Sequence, residues 1–316
     1  MRTNTPVIVH IPHSSREIPE EFRDQFLMQA DELDRELTLM TDSYTDELFG
    51  GLSNTVDLVF PVSRLVLDPE RFENDADEPM AERGMGVIYE LTSDQKPLRG
   101  PINMTTREAL LDRFYRPHHG RLESMTSNTL NEHGRCLIID GHSYPSQPLP
   151  YETDETASRP EICIGTDSFH TSEEISAVAT KLFQDAGFEV GINTPFSGSI
   201  VPSRIYRKDK NVQSIMIEVR RDLYMDECTG DKSSQFDQLR GGLRSVLNRL
   251  VDRYRCKDVR TLGARLFRGH QLQEFRDPFN RIATFNPSAS LAIPVGTGTS
   301  RQATILELRL QMVGAD

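Results

Sequence analysis

Leu137-Ile138-Ile139-Asp140-Gly141-His142-Ser143 is the stretch that decides the fold. Its three large aliphatic residues, with Cys136 before them, predict a strand over residues 136–139 that is buried on both faces, as in parallel sheets covered by helices. Asp140 and His142 follow at the carboxyl end of that strand, where open α/β sheets assemble their sites. Gly141 between them permits a close approach by another part of the chain. The same arrangement recurs on both sides. Val7-Ile8-Val9-His10-Ile11 runs into Pro12-His13-Ser14-Ser15, and an apolar run over residues 214–219 carries Glu218 before Arg220-Arg221-Asp222. If Ile215, Ile217 and Val219 face one layer, then Met216, Glu218 and Arg220 face the other.

Shorter apolar runs at residues 58–62, 65–67, 161–164 and 189–192 supply further strands. Between them lie amphipathic stretches of helical period. The best marked covers residues 172–186, with Thr171 and Glu174 as a capping box, Ile175, Val178, Ala179, Leu182 and Phe183 as its apolar stripe, and Gly187 as its end. A second stripe runs from Phe236 through Leu243, Leu247 and Leu250 to Tyr254. A third runs from Leu110 to Leu122 and is interrupted at Pro117. Strands alternating with helices predict an α/β chain with a central mixed sheet flanked by helices. Residues 73–83 and 146–160, rich in Asp, Glu, Ser and Pro, read as long loops near the site. In the tail, residues 291–295 and 303–308 look strand-like.

The chain has 316 residues, 37% of them hydrophobic and 27% charged, the make-up of an ordinary globular enzyme. A formal charge of -12 disfavours nucleic-acid partners and leaves a small molecule as the expected ligand. No signal-peptide pattern precedes Val7, and no run approaches the roughly 20 apolar residues of a membrane span. A cytoplasmic setting is therefore expected. Cys136, Cys163, Cys228 and Cys256 stand far apart and read as reduced thiols rather than a disulfide framework.

Each polar residue at a strand end has an ordinary reading beside a functional one. His10 and His13 could be structural, but two imidazoles at one strand exit also suit a metal. Asp140 could hold the second nitrogen of a ligand imidazole. Glu218 in an apolar strand is either ion-paired or catalytic, since a buried carboxylate needs a partner or a purpose. Asp42, in Thr41-Asp42-Ser43-Tyr44, could simply cap a helix.

In chain order, these motifs resemble the N-formylglutamate amidohydrolase family. The resemblance covers Ile11-Pro12-His13-Ser14, Thr41-Asp42, Ser63-Arg64-Leu65-Val66-Leu67-Asp68-Pro69-Glu70-Arg71, Gly86-Val87-Ile88-Tyr89, Pro117-His118-His119, Asp140-Gly141-His142-Ser143, Gly165-Thr166 and Ile217-Glu218, within residues 6–226. It implies a three-layer α/β fold of the zinc-carboxypeptidase type over residues 1–255, with 256–316 as an extension of unknown role. It also implies Zn2+ held by two histidines and a carboxylate, the histidines being His13 and His142. Asp42 is the expected third ligand and Glu17 its local rival. Glu218 takes the general-base role, with Asp140 and His10 behind the ligands.

The reaction so implied is hydrolysis of an N-acyl amino acid, N-formyl-L-glutamate foremost, to formate and the amino acid. Another N-acyl amino acid or a peptide is the alternative substrate, and a catalytically silent binding protein the alternative function. Arg64, Arg71, Arg204 and Arg220 are the cations available for substrate carboxylates, each equally open to a structural ion pair. His118 and His119 stand where the family has a Pro-Tyr-His stretch. Phe196-Ser197-Gly198-Ser199-Ile200 lacks the histidine of the Gly-His-Ile-Thr stretch found there in histidine-degradation enzymes, which loosens the tie to N-formylglutamate itself.

Overall fold

The computed structural model describes residues 5–152 and 158–266. In chain order the elements are β1 (Val7–Ile11), α1 (Glu20–Arg23), α2 (Ala30–Met40), α3 (Thr45–Phe49), β2 (Val56–Val59), α4 (Met104–Leu110), α5 (Arg116–His133), β3 (Cys136–Tyr144), β4 (Ile162–Gly165), α6 (Glu173–Asp185), β5 (Val190–Ile192), β6 (Val212–Arg220) and α7 (Phe236–Leu266). The backbone partitions into a compact unit, Met1–Arg260, and a second, Thr261–Asp316, of which only the end of α7 is described. The strand-like runs at 291–295 and 303–308 lie outside the described residues.

Six strands form one mixed sheet in the order β2-β1-β3-β6-β4-β5. β2, β1, β3 and β6 are mutually parallel, whereas β4 runs antiparallel to β6 and β5 parallel to β4. The alternation along each strand sorts the two faces. Val7, Val9, Ile11, Leu137, Ile139, Ile215, Ile217 and Val219 pack with α3, α6 and α7 in the main core. Ile8, Ile138 and Val212 pack on the other face with Leu122 of α5. Fully burying such aliphatic side chains contributes about 1.5–3 kcal/mol each, so the two apolar layers hold the central strands rigidly.

Several local expectations are corrected. Residues 65–67 are fully buried but form a turn in a satellite core. Thr171 does not cap α6; Ser172 does, accepting from Ile175 N at 3.3 Å, while Thr171 Oγ1 donates to Ser214 O. Pro117 does not break its helix, because a π turn at Leu111–Tyr115 joins α4 to α5 just before the missing N–H. The loop at 73–83 ends in a 3-10 turn, Pro79–Arg83. β3 continues to Tyr144, five residues beyond its aliphatic run, so Asp140 and His142 lie inside the sheet.

Candidate active site

The face of the sheet opposite the main core presents the polar residues. In the parallel register His10 lies beside Asp140, and His142 beside Glu218. Gly141 shows its backbone to the opposite face, where a Cβ would stand 2.7 Å from the Phe49 ring, so α3 can pack directly under the site. Thr41 ends α2 and Asp42 opens the turn into α3. Its backbone carbonyl receives Thr45 N, while its carboxylate turns inward rather than capping.

His13 and His142 stand with ring centroids 5.1 Å apart. His13 Nε2 is 2.9 Å from Asp68 Oδ1, and His142 Nδ1 is 3.2 Å from Asp42 Oδ2. A carboxylate thus fixes one nitrogen of each imidazole. The others, His13 Nδ1 and His142 Nε2, are buried with no hydrogen-bond partner, as is Glu218 Oε2. Glu70 Oε2 at 3.1 Å and Asp140 Oδ1 at 3.2 Å lie within ion-pair reach of His142 Nε2 without hydrogen-bond alignment. His13, Glu70 and His142 bring one donor atom each within 4.8 Å of one another, the spacing of a metal-ligating trio. His10, Glu70 and Asp140 form a second such trio. There, however, both His10 nitrogens are engaged, Nδ1 with Asp140 Oδ1 and Nε2 with His118 Nε2, each at 2.8 Å, which makes a hydrogen-bond chain running back to α5. Burial pushes His118 down to about 2, with His10 and His119 adding to it, so His118 is neutral.

Burial and neighbouring charges compete at each titratable group of this cluster. Burial opposes ionisation of Asp68, yet Arg64, His13 and Arg71 hold its carboxyl well below the usual range. Burial likewise opposes Asp42, and His13, His142 and Arg221 outweigh it. Burial works against a charged His142, but Glu70 and Asp140 push its pKa well above the ordinary value. Glu218 is pushed up to about 7 by burial, with Asp42 and Glu70 adding and His142 and Arg221 opposing.

A family model described as N-formylglutamate amidohydrolase matches residues 5–225. The chain belongs to the N-formylglutamate amidohydrolase family. It is therefore an amidohydrolase. Among solved structures, it is similar to an N-formylglutamate amidohydrolase from Ralstonia eutropha JMP134, with 20% identity, a TM-score of 0.71, and coverage of 80% of this chain and 95% of that one. It is also similar to a gene product of Agrobacterium tumefaciens, with 19% identity, a TM-score of 0.56, and coverage of 83% and 93%. At these identities the likeness concerns the fold. No curated protein matches.

Within this amidohydrolase the structure brings together His10, His13, Asp42, Arg64, Arg71, Asp140, His142 and Glu218. It leaves others out. Arg204 is 83% exposed and faces Glu123, and Glu17 is exposed. Arg220 shares the Glu218 face but is committed to Asp222 Oδ1 at 2.7 Å and Arg159 O at 2.6 Å. Asp42 lies between the two imidazoles, its Oδ1 taken by Arg221 at 2.8 Å and its Oδ2 by Ser143 N and His142. Sequence reasoning missed Glu70, Asp68 and Arg221 as site residues, although the first two stand in the quoted block 63–71. His119 bonds Pro69 O at 2.8 Å and so supports that block from α5. Among the described residues, no helix is long and apolar enough to cross a membrane.

Proposed function

We propose that this amidohydrolase is a metal-dependent enzyme that cleaves the amide bond of an N-acyl amino acid, formyl being the acyl group. The observation that carries this reading is the pair of buried, unpartnered nitrogens, His13 Nδ1 and His142 Nε2, beside Glu70. Two imidazoles and a carboxylate fit zinc, and each imidazole has the outer carboxylate, Asp68 or Asp42, that usually orients a ligand histidine. Glu70 thus takes the third ligand position first expected of Asp42, and Asp42 the orienting role. Zinc bound there supplies a Lewis acid that polarises the acyl carbonyl and acidifies water.

The chain's own residues do the rest. Glu218, beside His142 with Oε2 unpartnered, accepts a proton from the attacking water and hands it to the amine nitrogen as the C–N bond breaks. Burial raises the Glu218 carboxyl above its ordinary value, which strengthens it as a proton acceptor. The Arg71 guanidinium receives the amino acid's carboxylate. Formate and the free amino acid leave. Four free cysteines suit a reducing, cytoplasmic setting.

Elemental analysis of the purified protein, with hydrolysis of a panel of N-formyl and N-acetyl amino acids, tests this reading; N-formyl-L-glutamate, the substrate in the family's name, belongs in the panel. One divalent ion per chain is expected, with activity lost on chelation, in His142→Ala, and in a Glu218→Gln variant that keeps its metal. A folded protein that neither takes up zinc nor cleaves any panel member would refute it.

A further inference from the structure

Tyr144 continues the face of β3 that carries Asp140 and His142, and Cys163 on β4 lies beside Glu218, so both border the site where β6 meets β4. The Phe196 ring meets the Tyr144 ring edge-on at 5.7 Å, and the Phe196 carbonyl accepts from Cys163 Sγ at 3.3 Å. Over this aromatic pair stands Arg159, its Cζ 5.6 Å from each ring centroid. We infer that Arg159 is the specificity-determining residue of the site, the cation that meets a second, side-chain carboxylate on the N-acyl amino acid; this rests on the amide-hydrolysis reading above.

The other guanidiniums near the site are more fully committed. Arg64 gives Nη2 to Asp68 at 2.8 Å and Nε to Tyr89 Oη at 3.1 Å, and Arg221 gives Nη2 to Asp42 at 2.8 Å and Nε to Ser143 Oγ at 3.2 Å. Arg71 and Arg159 each keep a buried Nε with no hydrogen-bond partner. Arg159 pairs with Glu152 through Nη2, while its Nη1 reaches only the Pro145 carbonyl at 3.4 Å. It is also held in place, because Arg220 Nη1 donates to Arg159 O at 2.6 Å and the Glu152 carboxylate accepts from Leu149 N at 2.8 Å. The two cations flank the site from opposite sides. Arg71 lies 3.8 Å from Asp68, which bonds His13 at the exit of β1, whereas Arg159 immediately precedes β4, and the strand order sets β3 and β6 between them. With the substrate's α-carboxylate on Arg71 and its acyl group at His13 and His142, an amino-acid side chain is left to run along the Tyr144 and Phe196 wall. The rings cover its methylene groups, and Arg159 meets a carboxylate at its end. An uncharged side chain gives that guanidinium no anion to bind.

N-formyl-L-glutamate and N-formyl-L-glutamine, nearly identical in shape, differ in that one charge. Binding is read by titration calorimetry on the metal-free protein, and kcat/KM by initial rates on the zinc-loaded protein. The comparison covers wild type, Arg159→Gln, Arg159→Lys, and the double variant Glu152→Gln with Arg159→Gln, which strands no carboxylate should the single variant fail to fold. In the wild type the glutamate ligand is expected to be favoured about tenfold or more, since a hydrogen bond between charged groups contributes at least that much. Arg159→Gln and the double variant should lose this preference by weakening the glutamate ligand alone, and Arg159→Lys should keep part of it. The proposal is overturned by a wild type without the preference, by a preference that survives loss of the Arg159 charge, or by an equal loss for both ligands. Failure of both ligands to bind the wild type overturns it too. A glutamate preference in binding that depends on Arg159, without cleavage of either ligand, would keep the proposal and sink the hydrolase reading; cleavage with a selectivity that ignores Arg159 would do the reverse.

Discussion

Replacing Glu218 by glutamine should make the metal-free protein more stable while removing its activity. Glu218 is buried at the centre of the sheet, and its surroundings raise it from an ordinary 4.5 to about 7. At about 1.4 kcal/mol per pH unit, this corresponds to about 3 kcal/mol of differential stability. The folded chain holds the proton more tightly than the unfolded chain does. The metal-free wild type therefore loses stability as pH rises from about 4.5 through about 7, and the whole cost is present above that. Glutamine carries no charge, so it removes the cost at pH 8; its own amide, poorly partnered there, gives back about 1 kcal/mol, leaving a net gain of about 2 kcal/mol. Urea unfolding of metal-stripped wild type and Glu218→Gln at pH 5 and pH 8 measures this directly. The gain should appear at pH 8 and shrink towards zero or below at pH 5. Turnover of the zinc-loaded variant should fall by about 10²–10⁴, the usual share of a general base. Destabilisation of the variant at pH 8, or a difference that ignores pH, would show that Glu218 is a satisfied structural carboxylate and refute the reasoning.

Zinc affinity, read by chelator competition, should fall further in Glu70→Gln than in Asp42→Asn, for which about 10–100-fold is expected of an orienting carboxylate; the reverse order would return Asp42 to the ligand set, and Glu17→Gln should change nothing. Asp68→Ala, which strands Arg64 and frees His13, should cost about 3–5 kcal/mol in urea unfolding at pH 7. Because the folded state depresses Asp68, its stabilisation is present above the ordinary carboxylate range and fades as pH falls below it, so the gap between wild type and variant should narrow in acid. Gly141→Ala forces a methyl group against Phe49 and should cost about 1–3 kcal/mol by thermal unfolding. In the zinc-loaded enzyme the acidic limb of kcat/KM should lie below about 7, because a cation beside Glu218 favours its charged form; a limb above 7 would exclude Glu218 as the group responsible.

Most of the sheet is legible in the sequence because its central strands are buried on both faces and read as unbroken aliphatic runs, which few other arrangements produce. The same signal misleads at residues 65–67. Apolar residues report burial, and extended backbone is only one way to achieve it; there a turn following Ser63 buries the same side chains. β3 fails in the opposite sense. Asp140 and His142 look like the start of a loop, yet the strand carries them inward because each finds a partner on a neighbouring element.

That difference also explains why His13, His142 and Glu218 could be singled out from sequence while the division of roles among the carboxylates could not. His13, His142 and Glu218 each mark a strand or its exit, so local pattern locates them. The carboxylates divide their roles through pairings between residues 55 and 100 positions apart, His13 with Asp68 and His142 with Asp42. Nothing in a one-dimensional pattern distinguishes a carboxylate that orients an imidazole from one that meets a metal. What distinguishes them in space is commitment. Asp42 and Asp68 spend both oxygens on arginine, tyrosine, serine and histidine donors, whereas Glu70, 19% exposed at the mouth of the same cluster, makes ion-pair approaches to histidine alone. A carboxylate with oxygen to spare, next to two imidazole nitrogens that make no aligned hydrogen bond, is the arrangement that the proposed divalent ion would complete.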